Sequence, residues 1–221
     1  MNPRPEVSAA AASDSYANRL QSDADPKNPA KVALNGQQYT VFGYKDDPST
    51  GFHATAYRSR ETGDIIIAYR GTDPDFKHHT RTTVQDALVD LTMVKAKINP
   101  QKRAADVFTQ DMIDKAQKHG IPKERITVAG HSLGGTLAEI EASERGLRGV
   151  TLNSYGAVDL GYGIALGGSQ VTNYVMAGDV VSAASRHFGQ VVPLASQADV
   201  GALHARRYLG AVPARHRPTR C

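Results

Sequence analysis

Residues 125–145 read RITVAGHSLGGTLAEIEASER: a β-branched run enters Gly130-His131-Ser132-Leu133-Gly134 and leaves through an alanine- and glutamate-rich stretch. No other feature narrows the fold as far. The spacing predicts a buried strand over 125–130 and a helix over 133–145 closed by Gly146, so Ser132 falls on the turn between them. By composition alone the Gly-x-Ser-x-Gly pattern turns up in roughly 0.08 of chains this long, so the context carries the argument. A tight strand-to-helix turn forces the serine toward a strained backbone and needs neighbours without Cβ atoms, which Gly130, Gly134 and Gly135 supply. It lifts the serine Oγ to the carboxyl edge of a sheet, at a helix start whose amides face developing negative charge.

The rest of the chain fits a sheet around that turn. Three strand-like runs come first, over 38–44, 52–59 and 64–71, and Gly63 in the ETGD turn between the last two suits a hairpin. This opening is antiparallel in character. Apolar residues three and four apart predict helices over 83–94 and 103–119, the second ended by Gly120 and Pro122. Further strands are expected over 149–156 and 170–178. Such alternation implies a parallel sheet with helices on its faces. The expected class is α/β: a mixed sheet, mostly parallel with an antiparallel N-terminal edge, and helices on both faces. Residues 1–30 are read as a loosely ordered arm with a short helix near 16–20, residues 31–210 as the domain, and residues 211–221 as a basic tail.

A serine hydroxyl needs a base to take its proton and an acid to orient that base. On a sheet of this kind the acid and then the histidine follow the serine in sequence. Asp179 follows the strand VTNYVMAG, on the edge where Ser132 should emerge; Asp159 is its rival and Asp199 a third candidate. His187, His204 and His216 follow Asp179. His204, after a polar loop and before RRYLG, is the preferred base; His187 sits at a turn before a strand-like run, where packing through a backbone hydrogen bond is its simpler role. His131 leaves the turn in a different direction from Ser132. For the oxyanion, one amide should come from Leu133 and a second donor from the loop after IIIAYRGTD, where Thr72 offers both N–H and hydroxyl.

The pairing of IIIAYRGTD with ITVAGHSLGGTLAEI resembles the class 3 lipase family of α/β-hydrolases, which carries an RGT or RGS segment, a helix with two aspartates, and GHSLGG. Here QDALVDL supplies Asp86 and Asp90, and NYVMAGDVVSAASRHFGQVVPL looks like the family's later block. The likeness spans roughly 64–210. It implies Ser132 as nucleophile, Asp179 as acid, His204 as base, Thr72 and Leu133 as oxyanion hole, and His187 as a non-catalytic loop histidine. It further implies hydrolysis of glycerolipid acyl esters, with phospholipids or lysophospholipids leading. Within the family the chain is most similar to bacterial lipase-type effectors delivered by specialised secretion systems, which brings an inhibitory immunity protein into view as a partner. A soluble carboxylesterase or thioesterase would use the same triad, and a binding module of this fold would keep the architecture without the chemistry.

Composition excludes several other classes. No stretch approaches the ~20 apolar residues of a membrane span, and the N-terminus lacks the basic and apolar regions of a secretory signal. The only cysteine is Cys221, so no internal disulfide forms. Net charge is +4, and the tail carries Arg206, Arg207, Arg215, Arg217 and Arg220 without an acid. It has no aromatic-interleaved basic motif, so no nucleic-acid partner is expected; the resemblance to class 3 lipases implies lipid at a membrane surface as the partner. Adjacent His78 and His79 point apart in extended chain, and Asp86 and Asp90 are expected to anchor a loop, so neither a metal nor a cofactor is expected. Two segments are candidates for a lid over lipid: the polar 73–83 and the apolar, glycine-rich 161–171.

Overall fold

The computed structural model describes residues 4–71, 84–176 and 185–195, with residues 84–91 as helical backbone only. Eight strands form one sheet in sequential order: β1 (Lys31–Leu34), β2 (Gln37–Asp47), β3 (Phe52–Ser59), β4 (Ile65–Tyr69), β5 (Ile126–His131), β6 (Arg148–Leu152), β7 (Gly167–Met176) and β8 (Phe188–Leu194). The first four pair antiparallel through hairpins. From β4 onward every pair is parallel, with α2 (Val84–Lys118) crossing from β4 to β5 and α3 (Leu133–Arg145) from β5 to β6. This is the mixed sheet with an antiparallel N-terminal edge that the sequence implied.

The sheet separates two cores, and the strand period of two explains how. On β4, Ile65, Ile67 and Tyr69 join the core that α2 and α3 cover, whereas Ile66 and Ala68 face the opposite core. All five residues are buried, as a strand covered on both faces requires. The opposite face is covered by α1 (Pro5–Asp14), whose Val7 and Ala11 pack with Ile66, Ala68 and Ala129. The helix expected near 16–20 therefore lies earlier in the chain, and it is docked on the sheet rather than held in a loose arm. Pro5 opens it, since a first-turn residue needs no donor, and the alanine run favours it.

The two helices expected over 83–94 and 103–119 are one 35-residue helix with Pro100 inside. A proline there removes one hydrogen bond and costs about 3 kcal/mol. Val94, Ile98, Ala105, Phe108 and Met112 nevertheless lie along one buried stripe. Burying each large side chain returns roughly 1.5–3 kcal/mol, so packing outweighs the break. A further strand, β1, went unforeseen. Its hairpin to β2 turns on Asn35 and Gly36, both at positive φ (46° and 76°), a pair that fits the twist of antiparallel strands. Gly63 takes φ 77° in the following hairpin, as anticipated. Among the described residues no helix is long and apolar enough to cross a membrane.

Candidate active site

Ser132 stands between the end of β5 and the first residue of α3 with φ 56° and ψ −125°. For a residue with a side chain that backbone costs on the order of 1–3 kcal/mol and persists only where its surroundings impose it. Those surroundings are visible. The Ser132 amide donates to Leu152 O at 3.0 Å, and its carbonyl accepts from Gly135 and Thr136 at 3.0 and 3.2 Å. A Cβ on Gly130 would overlap the Gly134 carbonyl, and one on Gly134 would overlap the Tyr69 carbonyl. The turn closes this tightly because neither residue has a side chain.

The α3 start supplies the amide expected of Leu133, whose N–H has no carbonyl one turn earlier within the helix. The loop leaving β4 passes directly beside the serine: a Cβ built on Gly71 would lie 3.4 Å from Ser132 Cβ and 2.5 Å from His131 O. Thr72 lies outside the described residues, as do Asp179, Asp199, His204, His216 and the 73–83 segment with His78 and His79; the side chains of Asp86 and Asp90 do too. The strand that leads toward Asp179, β7, ends at Met176 on the same carboxyl edge of the sheet as the serine. Asn153 links that edge, donating its amide to Tyr174 O at 2.8 Å and accepting from the Met176 amide at 2.9 Å.

The rival residues that are described are engaged elsewhere. His131 turns to the N-terminal segment, with Nδ1 3.1 Å from the Tyr16 hydroxyl. The Arg70 guanidinium lies 5.5 Å from the centre of the same Tyr16 ring. Asp159 holds Arg186 through its side chain at 2.6 Å and its amide at 2.8 Å, and these bonds lower its pKa to about 2. His187 is buried, with Nδ1 2.9 Å from Glu139 Oε1. Glu139 also accepts from Ser154 Oγ at 2.6 Å and from the Phe188 amide at 2.9 Å. Sequence reasoning missed Glu139. The available signal was its place two helical turns after Ser132, on the face that turns toward the sheet.

The apolar 161–171 segment is divided: Gly167 begins β7, Ile164 is buried, and Tyr162 donates to Asn99 Oδ1 on α2 at 2.5 Å. Among the described residues, oxygens of Asp106, Glu141 and Glu144 lie within 4.8 Å of one another. Lys102 and Arg145 already sit on this trio, at 2.9 Å from Asp106 and 2.8 Å from Glu141 respectively. Their charges fill the role a cation would take.

A strained serine on a strand-to-helix turn, at the carboxyl edge of a parallel sheet and beside the loop from the preceding strand, is the arrangement expected of an α/β-hydrolase nucleophile turn. Residues 7–212 match the family described as phospholipase-like, Tle-like phospholipase domain, and the chain belongs to that family. It is accordingly an ester hydrolase of the lipase/phospholipase type. The match begins at residue 7, so it takes in α1. No curated protein matches the sequence. Among solved structures the fold is similar to Lip2 lipase from Yarrowia lipolytica (TM-score 0.53, 15% identity, 86% of this chain and 77% of that one). It is likewise similar to a triacylglycerol lipase from Penicillium expansum (0.53, 14%, 87% and 79%) and the triacylglyceride lipase of Rhizomucor miehei (0.52, 14%, 88% and 79%). At these identities the likeness concerns the fold.

Proposed function

We propose that the chain hydrolyses acyl esters of glycerophospholipids, as a phospholipase A-type serine hydrolase acting through Ser132, His204 and Asp179. In this reading His204 takes the proton of Ser132 Oγ as the oxygen attacks the ester carbonyl. Asp179 orients the imidazole and stabilises its charged form. The tetrahedral oxyanion is held by the Leu133 amide and by Thr72. Collapse of this intermediate breaks the ester C–O bond, and His204 returns its proton to the departing alcohol oxygen. Water, deprotonated by the same histidine, then attacks the acyl-enzyme and releases the fatty acid, restoring Ser132.

The backbone of Ser132, at φ 56° between strand and helix, carries the reading, and family membership supports a lipid ester as substrate. His187 fits the non-catalytic role, because Glu139 holds it in the protein interior. The same proposal extends to an effector role: synthesis in the cytoplasm, export by a specialised secretion system, and an inhibitory immunity protein that guards the producing cell. The family match and the resemblance to bacterial effectors support that extension.

The test is product analysis by mass spectrometry on vesicles of mixed phosphatidylethanolamine and phosphatidylglycerol. Free fatty acid and lysophospholipid should appear with wild-type protein and vanish with His204→Ala, falling at least 100-fold in rate. Turnover of short soluble esters with none on vesicles would make the chain a soluble carboxylesterase. Near-normal turnover by His204→Ala, with loss in folded His187→Ala, would overturn the assignment of the base.

A further inference from the structure

Tyr16 sits in the turn that follows α1, outside any helix or strand, yet it reaches the nucleophile turn. Its hydroxyl is 3.1 Å from His131 Nδ1, where a phenol can donate to or accept from the imidazole. The same oxygen lies against Gly71. A Cβ built on Gly71 would stand 2.5 Å from the Tyr16 hydroxyl, 2.5 Å from the His131 carbonyl oxygen and 3.4 Å from Ser132 Cβ. Gly71 is thus wedged between the phenol and the nucleophile turn, in a gap that only glycine fits. The Arg70 guanidinium, 5.5 Å from the centre of the Tyr16 ring, adds a cation–π contact. One side chain therefore touches both residues that precede Thr72 on the β4 loop and the residue that precedes Ser132 on β5.

The segment that presents Tyr16 is fastened on both sides of it. Ser15 is buried, and its Oγ and amide donate to Ala12 O and Ala11 O at 2.7 and 3.0 Å. The Asp14 carboxylate accepts from the Tyr57 hydroxyl at 2.7 Å, and Arg19 pairs with the same carboxylate. Tyr57 is fully buried on β3, so residues 14 and 19 hold the turn to the sheet. A tyrosine has only two side-chain torsions, and its hydroxyl keeps its place at little entropic cost.

The chemistry needs such support. The β4–β5 ladder ends at Tyr69 and Gly130, so contacts beyond it, not strand pairing, set the spacing of Gly71 and Ser132. A catalytic constellation has to stay within about 0.5 Å of its productive geometry. A displacement of ~1 Å costs on the order of 100-fold in rate.

We infer that Tyr16 is a positioning residue of the active site: its hydroxyl bridges Gly71 and His131 and fixes the spacing between the β4 loop and the nucleophile turn. This rests on the acyl-hydrolase reading of Ser132. It makes the N-terminal segment part of the site, acting through the two turns rather than on the substrate.

The experiment measures kcat and KM on a monomeric short-chain phosphatidylcholine, and the rate of fluorophosphonate labelling, for wild type, Tyr16→Phe and Tyr16→Leu. Thermal unfolding checks that each variant is folded. Tyr16→Phe keeps the ring over Arg70 and removes only the hydroxyl. Its kcat should fall roughly tenfold or more with KM unchanged, and labelling should slow in parallel. Tyr16→Leu should lose as much. Unchanged kcat in folded Tyr16→Phe overturns the inference, even if its unfolding midpoint drops, because the hydroxyl then serves stability alone. Full activity in Tyr16→Phe with loss in Tyr16→Leu overturns it in favour of the ring. A loss carried by KM alone overturns it too, by placing Tyr16 on the substrate. A folded wild type that neither cleaves the lipid nor takes the label sinks the reading of Ser132 itself, which separates the two failures.

Discussion

The turn at Ser132 needs little side-chain chemistry and demands much of the backbone. Gly130 and Gly134 are fixed by carbonyls that pass where their Cβ atoms would be, and this was readable from the sequence because no other residue fits such a turn. Glu139 was not readable in the same way. A glutamate on an amphipathic helix reads as solvent-facing, and only the fold brings His187, Ser154 and the Phe188 amide onto its two oxygens. The network ties α3 to the segment that runs from His187 into β8. Replacing Glu139 by Ala strands these donors in the interior and should cost roughly 3–5 kcal/mol in chemical denaturation. Glu139→Gln keeps an acceptor oxygen and should cost markedly less. Equal losses for the two variants would mean that side-chain volume, not the bonds, is what matters there.

At the scale of elements, periodicity located most of the strands and α3, because their burial follows the intrinsic spacing of strand and helix. It failed where the apolar spacing was interrupted or a turn signal was passed over. Two helices were expected from the apolar spacing over 83–94 and 103–119, yet Val94, Ile98 and Phe108 share one core and carry a single helix through Pro100. Asn35-Gly36 is a strong hairpin signal that marks β1, and it was overlooked beside the longer strands that follow. The start was read as loose because residues 1–30 are rich in Ala, Ser, Asp and Pro. Val7 and Ala11 are nevertheless fully covered against Ile66, Ala68 and Ala129. Deleting residues 1–14 should therefore expose that face of the sheet and lower stability by on the order of 3 kcal/mol. Thermal unfolding of the shortened and full chains checks this; equal midpoints would return the segment to a loose arm.

Across the whole molecule, the one-sided placement of α2 and α3 over the parallel half creates an interior that also encloses charge. Glu141 is fully buried, and burial raises its pKa to about 8 despite the Arg145 guanidinium 2.8 Å away. Its pKa is higher folded than unfolded, so the folded state holds the extra proton between about 4.5 and about 8. The stability that Glu141 contributes is full below that window and is lost as pH rises through it. Glu141→Gln, neutral at every pH, should flatten the decline in unfolding free energy across this range. An identical pH profile for both proteins would show that Glu141 is already ionised in the fold.

The strand, the strained serine and the helix behind it also make a chemical claim about the molecule, that Ser132 Oγ is the atom that attacks. Intact-protein and peptide mass spectrometry after reaction with a fluorophosphonate tests it most directly. A single adduct on the peptide containing Ser132, absent from folded Ser132→Ala, is the predicted result. Well-folded wild-type protein that takes no adduct, or a Ser132→Ala variant that still takes one, would contradict it.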